Sequence, residues 1–259
     1  MKLEELTALY SPLDIEYSQC MSGRYEDLSY HDGDCKVIAG LKDGRISGFW
    51  RPVVAVGDDK DLKLHIERLY DICPNIYYMD FLIDGRLSVI SQFLLRHGHK
   101  ARPYYTQIID TSKNGMELHT ELRKSYKSLV KKYENVEYGS IDEYKYFHNR
   151  TTKDRCQTSW NIQQGMIAQG DASCMVDGDN AAILIYNNPY SAYYAGGKST
   201  TGFNTHALVW QAIIRNVGKT FEMGEQVFSG DPKLVNISKF KRGFGGRTTT
   251  RLILEKDTK

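Results

Sequence analysis

The sequence predicts an α/β protein built around a mixed sheet, and three observations predict it. Strand-like and helix-like segments alternate through the last hundred residues in the order strand, strand, helix, strand, helix, strand. One of those helices, Thr205–Val217, is apolar on nearly all faces through Leu208, Val209, Trp210, Ile213, Ile214 and Val217, which requires burial against other elements. The chain has 259 residues, 41% of them hydrophobic and 25% charged, enough for one large core or two smaller ones.

Taken in order, Cys35–Ala39 and Ile46–Val56 have strand composition, joined through the turn signal Lys42-Asp-Gly-Arg45. Leu62, Ile66, Leu69 and Tyr70 give Leu62–Tyr70 a helical stripe that must end before Pro74. Asn75–Leu82 reads as a strand, Leu87–His97 as a helix stopped by Gly98, and Tyr104–Ile109 as a strand. Asn114–Tyr133 gives the clearest helical pattern. Asn114 and Glu117 make a capping pair, and Leu118, Leu122, Tyr126, Leu129 and Tyr133 form one stripe. Arg123, Lys127 and Lys131 line another face of it. Asp142–Arg155 and Thr158–Gln169 read as two further helices.

Ala181–Tyr186 and Ala192–Ala195 read as paired strands across Asn187-Asn-Pro189, followed by the buried helix and Gly218 as its stop. Thr220–Met223 is a short strand. Asp231-Pro232 starts a helix, with Asp as N-cap and Pro in the first turn, and Thr248–Leu254 is the final strand.

A net charge of +2 gives no general affinity for nucleic acid, so any basic site must be local. Tyrosine is frequent, at 18 residues against 9 Phe and 3 Trp, and such amphipathic rings suit polar ligand grooves. The five cysteines are scattered, with no metal-ligand spacing, as expected of reduced thiols; no metal is expected. The start, Met1-Lys-Leu-Glu-Glu-Leu, lacks an apolar signal region and no run approaches membrane-spanning length, so the expected location is cytoplasmic.

The most distinctive stretch is Ile237-Ser-Lys-Phe-Lys-Arg-Gly-Phe-Gly-Gly-Arg247, four basic residues around three glycines after a predicted helix. Glycines allow close backbone approach, and lysines and arginines supply charge for phosphate or carboxylate. An anionic substrate is the expectation.

With these residues read, the chain resembles the FemAB-like branch of the GNAT acyltransferase superfamily. The resemblance is carried by Pro103–Asp110, Glu121-Leu-Arg-Lys-Ser-Tyr-Lys127, Tyr146-Phe-His148, Thr151-Thr152 and Ala192-Tyr-Tyr-Ala-Gly196, together with Phe221-Glu-Met-Gly224 and Lys239-Phe-Lys-Arg-Gly-Phe-Gly-Gly246. It implies a GNAT-like α/β fold, with a shortened N-terminal half over 1–102 and a complete GNAT-like domain over 103–259. It also implies direct transfer of an acyl or aminoacyl group to the amine of an amino-sugar or cell-envelope precursor. The donor would be acyl-CoA or, as in cross-bridge enzymes, aminoacyl-tRNA. The acceptor would be a nucleotide-linked or lipid-linked amino sugar. A tRNA-dependent aminoacyltransferase of peptidoglycan type and a non-catalytic GNAT-like binding module are the alternatives.

In GNAT enzymes a splayed central strand presents backbone N–H groups to the donor and the next helix N-terminus receives its phosphates. That maps the donor onto Tyr194, Ala195, Gly196, Gly197, Lys198, Thr200, Thr201, Asn204 and Thr205. Arg123, Tyr126, Lys127, Trp160, Lys239, Lys241 and Arg242 are expected on the acceptor side, where arginine grips phosphate bidentately. Glu222 is the first candidate base and Glu225 the second, while His148 and His206 are expected to pack or cap.

Overall fold

The computed structural model describes residues 24–49, 51–131, 136–150, 157–200 and 205–256. Among these the chain forms two compact units, one of residues 24–105 with 250–256 and one of 106–249.

The first unit begins with six short strands: β1 (Glu26–Asp27), β2 (Tyr30–Asp32), β3 (Cys35–Ile38), β4 (Gly40–Lys42), β5 (Arg45–Ser47) and β6 (Val54–Val56). They form two three-stranded sheets, β1-β4-β5 and β2-β3-β6. Asp43 (φ 49°) and Gly44 (φ 70°) make the tight β4–β5 turn that their residue types predict. Ile46–Val56 is not one strand. Gly48 and Arg51 pair with each other and Phe49 takes φ 54°, so the chain turns between β5 and β6.

Helix α1 (Asp59–Ile72) is capped by Asp58, whose carboxylate accepts from the amides of Lys60 and Asp61 at 2.9 and 3.0 Å. Strand β7 (Tyr78–Asp80), shorter than Asn75–Leu82, and helix α2 (Val89–Arg96) follow, with Gly98 at φ 83° beyond the helix end. The core here joins Val37, Ile46, Leu62, Ile66, Ile76 and Leu94 to Leu254 from the far end of the sequence.

The long strand β8 (Lys100–Asp110) leads into the second unit. Next come α3 (Gly115–Glu121), α4 (Tyr126–Leu129), β9 (Glu137–Gly139), α5 (Ile141–Asn149), α6 (Gln157–Gln169) and β10 (Ala172–Asp177). They are followed by β11 (Ala181–Asn187), β12 (Ser191–Ser199), α7 (His206–Arg215), β13 (Thr220–Glu225), α8 (Pro232–Arg242) and β14 (Arg247–Glu255). The sheet order is β9-β10-β11-β12-β13-β8, with β14 beside β8. Its neighbours from β9 to β8 run antiparallel except β12 and β13, which are parallel.

The alternation of β11 divides two cores between the faces of this sheet. Ala181, Ile183 and Ile185 join α7 and the aromatic Phe244 on one side. Ala182, Leu184 and Tyr186 join α5 and α6 on the other. A fully buried side chain of this size contributes about 2 kcal/mol.

The expected single helix Asn114–Tyr133 breaks. Its start is as read, a capping box of Asn114 with Glu117. At Leu122, however, ψ is 139°, and the Arg123 amide donates to the Gly243 carbonyl at 2.9 Å. Tertiary partners outweigh helix propensity there. The cations at 123, 127 and 131 therefore do not share one helical face.

Candidate transfer site

The site grows from the parallel pair β12–β13. β12 and β13 are in register through Ser191–Thr220, Ala192–Phe221 and Tyr193–Glu222, and there the pairing stops. Beyond Tyr193, β12 continues against β11 alone, with an irregularity opposite Leu184 and Ile185. β13 itself is irregular at Met223, between Glu222 and Gly224. The two strands thus separate where Tyr194–Ser199 begins.

A pocket of about 480 Å³ opens at this separation. Its floor is Tyr193–Gly197 of β12, its walls are Thr205 and His206 at the start of α7, and Ile237, Phe240 and Lys241 of α8 close it. Gly197 is required: a Cβ there would collide with the Tyr194 hydroxyl and approach Ile183 and Thr205 at 3.1 and 3.2 Å. Tyr194 is hydrogen-bonded to Thr205, and burial pushes its hydroxyl pKa up. The Thr205 side chain makes no capping hydrogen bond at the α7 N-terminus, the end of a helix that attracts anions.

Gly224 takes φ 77°, and a Cβ on it would lie 2.8 Å from the Tyr193 hydroxyl and 3.4 Å from Lys241 Nζ. The phenol and the ammonium therefore converge on one glycine at the mouth of the separation. Burial pushes the Lys241 pKa down to about 8, against the opposing pull of the Glu225 and Glu222 carboxylates. Lys241 Nζ also donates to the Glu225 carbonyl at 3.3 Å. Glu222 is 1% exposed and accepts from the Thr106 hydroxyl at 2.8 Å. It lies behind the pocket and does not line it, whereas Glu225, on the same strand, is exposed.

The C-terminal end of α8 carries the basic motif. Arg123 Nη2 donates to the Lys239 carbonyl at 3.0 Å, and the Tyr126 hydroxyl to the Phe240 carbonyl at 3.2 Å. Both carbonyls also accept from the Gly243 amide, at 3.2 and 3.1 Å, so the side chains add second bonds at the helix end. Gly243 permits this, since a Cβ there would run into the Tyr126 ring. Tyr126 stands edge-on to His206, with ring centroids 4.3 Å apart, and Phe240 and Phe244 complete an aromatic box. Burial, then the nearby Arg123, push the His206 pKa down to about 4, so the imidazole is neutral. Arg242 donates to Gln226 at 3.1 Å and lies over the Phe228 ring.

Of the residues expected on the donor side, Tyr194, Ala195, Gly196, Gly197 and Thr205 line the pocket. Lys198 lies opposite Ala182, and Thr200 is occupied with the Asn180 carbonyl through both amide and hydroxyl. Thr201 and Asn204 fall outside the described residues. On the acceptor side, Lys241 lines the pocket, Arg123 and Tyr126 bind the end of α8, and Lys127 and Lys239 flank that junction. Trp160 does not join them. It is 2% exposed within the core packed by α5 and α6 on the opposite face of the sheet.

Sequence reading did not name Tyr193, Ser199, Ile237, Phe240 or His206 as pocket residues. The dipeptide Tyr193-Tyr194 beside two glycines was the available signal, since alternate residues of a strand face opposite sides.

Among the described residues no cluster of three His, Cys, Asp or Glu side chains is placed to hold a metal. Nor is any helix long and apolar enough to cross a membrane. Cys35 and Cys174 are buried free thiols; Cys20 and Cys156 lie outside the described residues.

The mixed sheet, the parallel pair β12–β13 and the pocket where that pair separates make a GNAT-like α/β fold, the fold class the resemblance implied. Known structures bear this out. FemX superposes with a TM-score of 0.68 and 12% identity over 93% of this chain and 90% of its own. L-PGS from Bacillus licheniformis gives 0.63 and 11% over 96% and 93%. The C-terminal domain of a putative lysylphosphatidylglycerol synthetase from Agrobacterium fabrum gives 0.61 and 11% over 91% and 85%. Identity this low speaks for the fold alone. No protein-family model and no curated protein matches the sequence.

Proposed function

We propose that the chain is a transferase that moves an acyl group, and more specifically an aminoacyl group, from an activated ester onto an amine. The observation that carries this reading is Lys241, a cation of lowered pKa at the mouth of the strand separation, facing the Tyr193 hydroxyl across Gly224. When an amine attacks a carbonyl, a C–N bond forms and negative charge builds on the carbonyl oxygen. An ammonium held out of bulk water stabilises that charge strongly.

In this reading the donor's carbonyl end occupies the pocket beside Gly196 and Gly197. Lys241 meets the oxyanion, and Glu222 keeps the lysine charged from behind. Glu225, exposed at the end of β13, takes the amine's proton. The C–O bond to the donor then breaks, and its oxygen leaves with a proton from solvent or from Tyr193. No enzyme nucleophile is needed.

The aminoacyl donor is supported by the likeness in fold to FemX and to the two lysylphosphatidylglycerol synthetase structures. Arg123, Lys127 and Lys239 around the aromatic box suit a donor carrying several phosphates, as aminoacyl-tRNA and acyl-CoA both do. The acceptor amine would belong to a nucleotide-linked or lipid-linked cell-envelope precursor.

The test gives purified protein tRNA charged with a labelled amino acid, or labelled acyl-CoA, together with a nucleotide-linked muropeptide or amino sugar. Label is expected on the acceptor amine, and Lys241→Met is expected to lower the rate at least 100-fold with the melting temperature retained. Binding without transfer from either donor would overturn the enzyme reading in favour of a binding module.

A further inference from the structure

A second cavity, about 250 Å³ in volume, lies wholly within the first unit. It is bounded by α1 and by the segment from β1 to β3. Leu28, Val37 and Leu69 give it an apolar wall.

Its polar groups are one buried side chain, His65, and two exposed ones of opposite charge, Arg68 and Asp27. His65 is 7% exposed and its ring lies over Tyr30, with centroids 3.6 Å apart, yet its nitrogens have no hydrogen-bond partner among the described residues. Arg68, one turn further along α1, lines the same cavity and has no ion pair or hydrogen bond to any described residue. Its charge acts on the imidazole, which burial has already pushed below its usual pKa. Asp27 lines the cavity as well. One carboxylate oxygen accepts from the Ser29 amide at 2.9 Å, and the other has no partner among the described residues.

By contrast, the other polar neighbours are occupied. The Ser29 hydroxyl is exchanged with the Ala39 backbone, and the Tyr30 hydroxyl donates to Asp32. What remains is a guanidinium, a carboxylate oxygen and an imidazole around an apolar wall.

We infer that this cavity binds the zwitterion of a small apolar amino acid. Its carboxylate would take the Arg68 fork, its ammonium the free oxygen of Asp27, and its side chain the wall of Leu28, Val37 and Leu69. His65 supplies one further hydrogen bond. A simple anion would leave Asp27 opposed by like charge, and a simple amine would leave Arg68 unmatched. A nucleotide or peptide exceeds the volume.

Calorimetry of the full chain with L-leucine tests this, alongside 4-methylpentanoate, which lacks the ammonium, and 3-methylbutylamine, which lacks the carboxylate. Leucine is expected to bind saturably and to shift the His65 ring resonances, with each analogue at least tenfold weaker. Arg68→Gln and Asp27→Asn are each expected to weaken leucine at least tenfold with an unchanged melting temperature. Absence of leucine binding, equal binding of leucine and 4-methylpentanoate, or unchanged leucine binding in a folded Arg68→Gln protein would each overturn the inference. The analogue comparison needs no variant, so it decides the matter even if one fails to fold. None of these readouts involves group transfer, so the result is independent of the function proposed above.

Discussion

The two parts of strand β12 differ in one respect that decides what each does. Ser191–Tyr193 is paired on both sides, to β11 and to β13, while Tyr194–Ser199 keeps β11 alone. The first part is ordinary sheet interior, with Ser191 and Ala192 fully buried. The second part, with the same backbone chemistry, has one edge released and carries the pocket. A released edge inside a sheet is a row of N–H and C=O groups aimed at a ligand. The glycines at 196 and 197 keep side chains from covering it.

The largest effect should come from closing that released edge. Gly197→Val would force its side chain against Tyr194, Ile183 and Thr205, costing several kcal/mol by overpacking and abolishing donor binding. A substitution in the paired half that keeps its volume, such as Ala192→Ser, should leave donor binding intact. Equal losses in both would remove the distinction.

Lys241 gives the next effect, as a pH dependence. Its folded pKa of about 8 lies below the usual lysine value of 10.5, so between those values the unfolded chain holds a proton that the folded chain has lost. Stability should therefore rise as pH goes from about 8 towards 10, whereas transfer should fall over the same rise as the ammonium disappears. Stability and rate moving together would place the catalytic charge elsewhere.

His206 runs on the acid side. Its folded pKa of about 4 lies below the usual histidine value of 6.5, so stability should be lost as pH falls from about 6.5 towards 4, by a few kcal/mol at most. His206→Gln should flatten that stretch of a melting-temperature profile.

Thr106→Val comes next, expected to cost about 1–3 kcal/mol in denaturant unfolding, because it removes the donor to a carboxylate that is 1% exposed. Arg123→Ala should be smallest, about 1 kcal/mol for the lost hydrogen bond to the Lys239 carbonyl, and well below Thr106→Val.

The alternating elements of residues 181–254 were legible because each obeys a local rule. Asp231 caps and Pro232 opens α8, and α7 is apolar all round because it is buried. The break at Leu122 was not legible. Leu-Arg-Lys-Ser suits a helix, and only the carbonyls at the end of α8, more than a hundred residues on, pull Arg123 and Tyr126 out of it.

Trp160 was misplaced for a related reason. A helix stripe tells that a residue is buried, not which face of the sheet buries it. The pocket was half legible: Gly196 and Gly197 mark a close approach, but the separation of β12 from β13 depends on their pairing, which no single segment encodes. Glu222 was found as an acidic residue of interest, yet its depth behind Lys241 follows from Thr106 on a neighbouring strand.

The boundaries between the two units fall inside β8 and β14, so among the described residues the chain leaves the first unit, builds the second, and then returns. Leu252 and Leu254, which fill the first unit's core, are therefore made after every residue of the second. On a ribosome the usual order, in which the earlier unit folds first, is reversed. Residues 24–105 must wait, with an unfilled core, until the intervening hundred and more residues have emerged, which is the interval in which a chaperone would have most to do.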